Sequence, residues 1–552
     1  MSFSTRQLSC RTPFVPLFIL VLLSTILAAC GGGSTTSNGG STAVATKQVL
    51  AFPNVGITDL ASVDPATGPD QNTGLAVSMI FSGLVRTDKS LNVIPDQATW
   101  NISDDKKVYT FAIKSGVTFS DGTPVTAQSY VYTWTRALLP EVSSPVASFF
   151  EAPIVGSDAV VNGKAKTLSG VKAIDDHTLQ VTLGHPTPYF LSALTSSVFF
   201  ALNQKLVGQY GQKNWTQHIE GMGVGTGPFM VKTWNRNAQI ILVPNPHYYS
   251  NKTKLTEVDM SFVKDNSTAF KAYRAGQYAF VWNLTPQDQV QAKALQGFTR
   301  VSLLQTDLMF FDNVKSSPFN SQAVRQAFAY AINKDLLVHA VLKDSVTAAQ
   351  TIIPPGMPGY QPDFPGLKFD AAKAKALFQS VYPNVSKAPQ FTFTYPSSQI
   401  SSNEAAVLQQ MWQTALGVQV KMRAEELTAY NNETSGNQKN HTVQFGFTQW
   451  GADFPDPYDW LALNLTTGAS NNSGSWSNAE FDKTIAQAET LGGNDRIALY
   501  NKAEQIAITD GGWLPIDHQA TAAIIPAWVH GVSLNANGLY FDDWSGVYLS
   551  QH

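Results

Sequence analysis

Three carboxylates stand three residues apart in one short stretch, Asp453, Asp456 and Asp459 of Trp450-Gly451-Ala452-Asp453-Phe454-Pro455-Asp456-Pro457-Tyr458-Asp459. Carboxylates in such a stretch can move protons, hold a cation or cap turns. Acid–base catalysis needs a nucleophile or an activated water within reach, and the chain carries no HExxH, GxSxG or P-loop string to supply one. The three-residue spacing does not match the ligand pattern of a calcium loop. Nine histidines lie scattered and cysteines number two, so no structural zinc site and no metal is expected. Gly223-Val224-Gly225-Thr226-Gly227 is rich in glycine, but Pro228 and a strand follow it, where a phosphate cradle requires a helix N-terminus. Asp456 and Asp459 read as turn or helix-start acids. Asp453 reads either as a turn cap before Pro455 or Pro457, or as a charge offered to a ligand.

The other chemically pointed residue is Cys30. It closes an apolar run at Leu27-Ala28-Ala29-Cys30, and three glycines follow. Upstream lie Arg6 and Arg11 and no acid. The run from Phe14 to Ala29 is shorter than the roughly 20 residues that span a bilayer. A basic start, a short apolar core and small residues describe a secretory signal over residues 1–29. The cysteine resembles that of a bacterial lipobox, which implies cleavage before Cys30 and lipidation of its thiol. Two or more acyl chains hold stably where one does not. The expectation is an exported protein anchored by lipid to the outer face of the bacterial cytoplasmic membrane.

Composition narrows the class. Of 552 residues 43% are hydrophobic and 14% charged, which fits a folded globule. The remaining cysteine, Cys10, lies in the expected signal, so no disulfide can form in the processed chain and the core must stabilise it alone. The net charge of −3 falls to −5 when the two signal arginines are removed. That is too mild, and of the wrong sign, for a nucleic-acid partner. Chain length suggests roughly three domains.

The elements that must position these residues mix strands and helices without a repeat. Residues 31–46 form a Gly/Ser/Thr-rich tether, and structure is expected to begin near Lys47 with the strand 49–52. Residues 108–113, 178–183, 391–393, 418–420 and 445–448 read as strands. Residues 229–234 and 239–243 read as a hairpin. Tyr130, Trp134 and Leu138 recur four apart over a helix at 126–138. The longest helix is expected at 323–342, with others at 371–381, 403–416, 479–491 and 495–508. The fold class is α/β with α+β character and mixed sheets.

The local strings are similar, in order and spacing, to the extracellular solute-binding proteins of peptide ABC importers (family 5, oligopeptide-binding-protein-like). The pieces are Gly83-Leu84-Val85-Arg86 with Ile94-Pro95-Asp96, Phe119-Ser120-Asp121-Gly122-Thr123-Pro124, and residues 171–183 with Pro188-Tyr189-Phe190. They continue through Thr226-Gly227-Pro228-Phe229, Pro318-Phe319, Val324-Arg325-Gln326-Ala327 and Trp450-Gly451-Ala452-Asp453. The resemblance covers nearly everything from Val49 onward. It implies a type II periplasmic-binding-protein clamshell of two lobes with an extra domain. Domain I would be 47–79, 195–305 and 515–552, domain II 80–194 and domain III 306–514. The chain would cross between lobes near 306–308 and 514–516, where a few residues absorb a hinge rotation.

An importer of peptides must grip what all peptides share, the backbone and the terminal ammonium. Extended backbone can pair with a strand edge, and an ammonium in a dry cleft needs a carboxylate. The resemblance assigns that carboxylate to Asp453. It also brings to the ligand Trp450 as an aromatic wall, Gln449, Asn283 and Trp282 from the domain I loop, and His518 from the C-terminal strand. Two departures stand out. Phe447 and Gln449 replace an arginine and a glycine of the oligopeptide branch, and Asp517-His518-Gln519 replaces a run of tyrosines. The expected partners are a peptide ligand and ABC permease subunits. The chain is expected to be a monomer, without cofactor and without enzyme activity. The alternatives are a non-peptide solute (a nickel chelate, haem or a sugar), a peptide sensor and, most distantly, a lipoprotein hydrolase.

Overall fold

The computed structural model describes residues 43–67, 71–147, 151–434 and 440–552. The expected signal, Cys30 and residues 31–42 of the expected tether lie outside these residues. The tether's last residues are not free. Val44 bridges to Ser550, the Ala45 N–H donates to the Leu549 carbonyl at 2.9 Å, and Gln551 donates to Ala43 at 2.9 Å. Order therefore begins before Lys47, because the C-terminus supplies a strand partner that no local signal announces.

Local chemistry explains most elements. Helix Ala127–Leu138 buries Tyr130, Trp134 and Leu138 on one face, and Ser129 Oγ accepts the Thr126 N–H at 3.2 Å at its start. Phe229–Asn235 and Gln239–Pro244 pair as the expected hairpin. The helix expected at 323–342 is two helices, Gln322–Tyr330 and Lys334–Ala340. Asn333 Oδ1 accepts the Leu336 N–H at 2.9 Å and starts the second, so a good N-cap outweighs apolar continuity. The longest described helices are instead Gln399–Leu416 and Gly493–Asp510, 18 residues each. Each stops at a glycine of positive φ, Gly417 at 74° and Gly511 at 73°, a conformation other residues adopt at a cost. The strand expected at 418–420 forms three residues later, at Lys421–Glu425.

Three sheets carry the fold. Strands 49–55, 257–263, 239–244 and 229–235 form a mixed four-stranded sheet. Strands 98–102, 108–113, 178–182 and 171–175 form an antiparallel one. A seven-stranded mixed sheet runs in the order 281–282, 513–524, 298–311, 445–451, 392–396 and 421–425, with 347–348 beside 513–524.

Apolar side chains gather into three large buried clusters. One packs around Phe52, Trp215, Met260, Phe280 and Ala522–Ile524. A second surrounds Phe111, Tyr130, Trp134 and Phe190. The third is built on Leu308–Phe311, Phe393, Trp412, Phe445 and Trp513. Two long strands link the first cluster to the third. Phe298–Phe311 starts with Phe298 and Val301 packed on the first cluster and ends with Leu308–Phe311 in the third, and Trp513–Ile524 makes the return passage. Their pairing slips between Ser302 and Thr306 and again between Asp307 and Leu308. Such irregularities bend a strand and raise its twist, and here they fall where the strands leave one cluster for the other.

The glycine-rich run has a packing role. A Cβ on Gly225 would lie 2.1 Å from the Ile80 carbonyl, and one on Gly227 would lie 2.5 Å from Ile80 and Met79 backbone. Gly227 N–H donates to Ile80 at 2.8 Å. The glycines let the loop press on the end of helix Gln71–Ile80.

Candidate binding site

The stretch that holds the three carboxylates leaves the middle of the large sheet. Strand Phe445–Gly451 pairs along its whole length with Phe298–Phe311. On its other side it meets Thr392–Pro396 only at Phe445 and Gly446. The outer backbone edge of residues 448–451 is therefore unpaired among the described residues. A strand edge of this kind presents N–H and C=O groups to whatever extended chain lies beside it.

The segment past this edge is held from beneath. Ala452 N–H donates to Leu304 at 2.8 Å, extending the ladder by one residue. Asp459 is fully buried, and its Oδ2 accepts both the Asp453 N–H at 3.0 Å and the Trp450 indole N–H at 3.3 Å. Asp456 accepts the Tyr458 N–H at 2.9 Å and takes Arg496 through both oxygens, at 2.7 and 2.8 Å. Phe454 is buried in the second cluster, and Tyr189 stacks between Phe454 at 5.1 Å and Tyr458 at 4.4 Å. Beside these rings lies a cavity of about 130 Å3 lined by Pro153, His185, Tyr189, Tyr458, Glu489 and Arg496.

Asp453 itself caps nothing. Its carboxylate makes no hydrogen bond among the described residues and faces solvent, while surrounding protein raises its pKa to about 6. Burial, then the charge of Asp453, holds the Asp459 carboxyl well above the usual range. The two acids thus differ in setting. Asp459 is the buried support, and Asp453 is the accessible carboxyl that can pair with a cation.

The other expected ligand residues divide. Trp450 is half-buried, with its indole tied to Asp459. Gln449 is exposed on the opposite face of the same strand, and its amide donates to Asp307 Oδ1 at 2.5 Å. Asn283 is exposed at φ 53°, a left-handed conformation that asparagine tolerates, and its carbonyl accepts the Asn266 amide at 2.6 Å. Two expectations are corrected. Trp282 is 3% exposed and donates to the Pro53 carbonyl at 2.8 Å, so it is core. His518 is 4% exposed, with Nδ1 3.0 Å from Thr306 Oγ1 and Nε2 3.2 Å from Thr351 Oγ1. Burial, helped by Lys334, lowers its pKa to about 3. It is a neutral, fully partnered imidazole with nothing left for a ligand.

Sequence reasoning missed Asp459 as the support of the site, having placed it among turn acids. It also missed Asp307, which nothing local marks. Among the described residues no group of His, Cys, Asp and Glu is arranged to hold a metal ion, and no helix is long and apolar enough to cross a membrane.

The same architecture is found in solved structures. The chain superposes on the Escherichia coli murein tripeptide binding protein MppA with a TM-score of 0.78, covering 93% of this chain and 100% of that one at 28% identity. It superposes on Listeria monocytogenes OppA bound to peptide with a TM-score of 0.76, covering 92% and 100% at 26% identity. In sequence it is 31% identical over 511 residues to the probable deoxycholate-binding periplasmic protein YgiS of Escherichia coli, covering 90% of this chain and 92% of that one. It is also 31% identical over 486 residues to the periplasmic murein peptide-binding protein MppA of the same organism, covering 86% and 89%. The fold is that of a type II periplasmic binding protein. Residues 92–472 match the model of bacterial extracellular solute-binding proteins, family 5 Middle, and the chain belongs to that family.

Proposed function

We propose that the protein captures peptides for an ABC importer and hands them to the permease with no bond broken. The observation that carries this reading is the unpaired edge of residues 448–451 leading to the unpartnered carboxylate of Asp453. An extended peptide can add to that edge as a strand, its terminal ammonium meeting Asp453. Trp450 walls an early side chain, and Asn283, exposed just after strand 281–282, offers its amide. The reading also has support from relatives whose names state murein-peptide and oligopeptide binding.

We assign the lobes as 47–79, 195–305 and 515–552 (I), 80–194 (II) and 306–514 (III), an assignment in keeping with the three apolar clusters. The slipped pairing at 302–308 is then the hinge. The protein works as a monomer outside the cytoplasmic membrane, held there by lipid on Cys30 after removal of residues 1–29.

A second reading comes from the relative named for deoxycholate. Deoxycholate is an anion, and the exposed acid Asp453 beside the open edge disfavours it. Native mass spectrometry of protein purified without refolding tests the choice. The peptide reading expects bound masses that fragment as intact peptides, and a bile acid or no peptide in any preparation contradicts it.

A further inference from the structure

Consecutive residues of a strand face opposite sides of a sheet. On the side away from Trp450 and His518, three adjacent strands contribute Gln449, Asp307 and Asp517 to one row. Gln449 Nε2 donates to Asp307 Oδ1 at 2.5 Å. Gln519 Nε2 donates to Asp307 Oδ2 at 2.9 Å and to Asp517 Oδ1 at 2.6 Å. Gln449 is exposed, and Asp307 and Gln519 are half-buried. Together they make a rim that opens to solvent. Below it Asp517 is fully buried, and its Oδ2 has no hydrogen-bond partner. Glu404, from helix Gln399–Leu416, is 7% exposed and lies near enough to both aspartates for their charges to act on one another. Its carboxyl likewise accepts no hydrogen bond among the described residues.

This is an unusual balance of groups. Two amides cannot satisfy three carboxyls, and a buried carboxyl group without a hydrogen-bond partner is costly. Lys334 is the nearby cation, but its Nζ is engaged by the Ala349 carbonyl at 2.8 Å and by Gln350 Oε1 at 3.5 Å. None of the three acids forms an ion pair among the described residues. The strand itself brings no compensating charge, because residues 445–451 include no Lys or Arg. A divalent metal needs several oxygens at bonding distance, and no such group is present among the described residues. A nitrogen cation with several N–H donors on a flexible stem meets the unfilled acceptors, and the open amide rim gives it a way in.

We propose that the pocket formed by Asp307, Asp517 and Glu404 under Gln449 and Gln519 is a subsite for an ammonium or guanidinium group of the cargo. For a peptide cargo this group is a lysine or arginine side chain. In that form the proposal rests on the peptide reading above, and it narrows the cargo to peptides carrying a basic side chain beyond the N-terminus.

The test is calorimetric titration of the whole protein with tetrapeptides bearing lysine at position 2, 3 or 4, each against its norleucine twin. 1,5-Diaminopentane is titrated alongside. The pocket predicts at least about tenfold tighter binding for lysine at one position, the size of one charge-assisted hydrogen bond. It predicts that Asp307→Asn and Glu404→Gln each erase that preference, and that Glu404→Gln leaves norleucine peptides within twofold. Equal affinity of the twins at every position overturns the pocket and leaves peptide capture standing. Binding of the diamine but of no peptide overturns peptide capture and upholds the pocket. Binding of neither overturns both. The comparison of twins uses the unaltered protein, so a misfolded variant does not remove the test.

Discussion

The Asp453 backbone N–H donates to Asp459 Oδ2 at 3.0 Å, and the Trp450 indole shares that oxygen at 3.3 Å. One buried acid thus sets the position of both the free carboxylate and the aromatic wall. Burial holds the Asp459 carboxyl well above the usual range, and its second oxygen has no partner.

Asp459→Ala should destabilise the protein by about 1 to 3 kcal/mol, since two donors lose their acceptor. It should also weaken cargo binding, because the segment holding Asp453 loses its support. Asp459→Asn keeps a carbonyl oxygen to accept the same two N–H groups and should cost less than about 1 kcal/mol. Urea denaturation of both variants checks this. Equal losses for Ala and Asn contradict the acceptor role.

Binding of a peptide ammonium requires Asp453 ionised. With its pKa raised to about 6 by surrounding protein, affinity should be greatest near pH 7, since the peptide's own ammonium deprotonates near pH 8. It should fall by roughly tenfold per pH unit below 6. The stability contribution has the opposite trend. A folded pKa above the usual carboxylate value favours folding fully below about pH 4, and that benefit is lost as pH rises to about 6. Calorimetry from pH 5 to 8 reads the first trend and thermal melts of the free protein from pH 4 to 7 read the second. Asp453→Asn should flatten both, and an affinity that rises on acidification contradicts the assignment.

Tyr189 joins the second apolar cluster to the segment after Asp453 through two stacked rings. Each aromatic pair contributes about 0.5–1.5 kcal/mol beyond its buried area. Tyr189→Ser should therefore lower stability by about 1 to 3 kcal/mol in urea melts and weaken cargo binding, whereas Tyr189→Phe should preserve both. A Phe variant as impaired as Ser would contradict stacking as the cause.

Arg136 and Asp64 form a buried ion pair at 2.5 Å, with side chains 1% and 5% exposed. Trp215 Nε1 also donates to Asp64 at 3.3 Å, and Gln212 takes Arg136 Nε at 2.7 Å. Arg136→Met strands the carboxylate and should cost about 3 to 5 kcal/mol. The double change Arg136→Met with Asp64→Leu should recover part of that loss. A cycle of denaturation curves measures the coupling, and a single-variant loss below about 1 kcal/mol contradicts the burial of the pair.

What the sequence revealed tracks the range of the forces involved. The Tyr130, Trp134 and Leu138 spacing and the 229–243 hairpin are local patterns, and they fold as they read. The break at Asn333 is also local, but a cap inside an apolar run is easily overlooked. Asp453 could be picked out from its neighbours in the chain. That it is unpartnered depends on Asp456 and Asp459 taking the turn and support roles instead. His518 and Trp282 looked available because nothing beside them in the chain reveals Thr351 or Pro53 in space. The bond from Gln519 to Asp307 spans 212 residues and depends on strand register, which no short string encodes.

The central claim is that Asp453 receives the free amino terminus of a peptide laid along residues 448–451. Calorimetric titration of one tetrapeptide, with its terminus free or acetylated, tests this most directly. The account predicts that acetylation weakens binding to the unaltered protein by roughly a hundredfold, the cost of leaving a charged group of the site unpaired. It predicts that Asp453→Ala weakens the free peptide to a similar degree with the fold intact. Equal affinity for the free and acetylated peptides would contradict it.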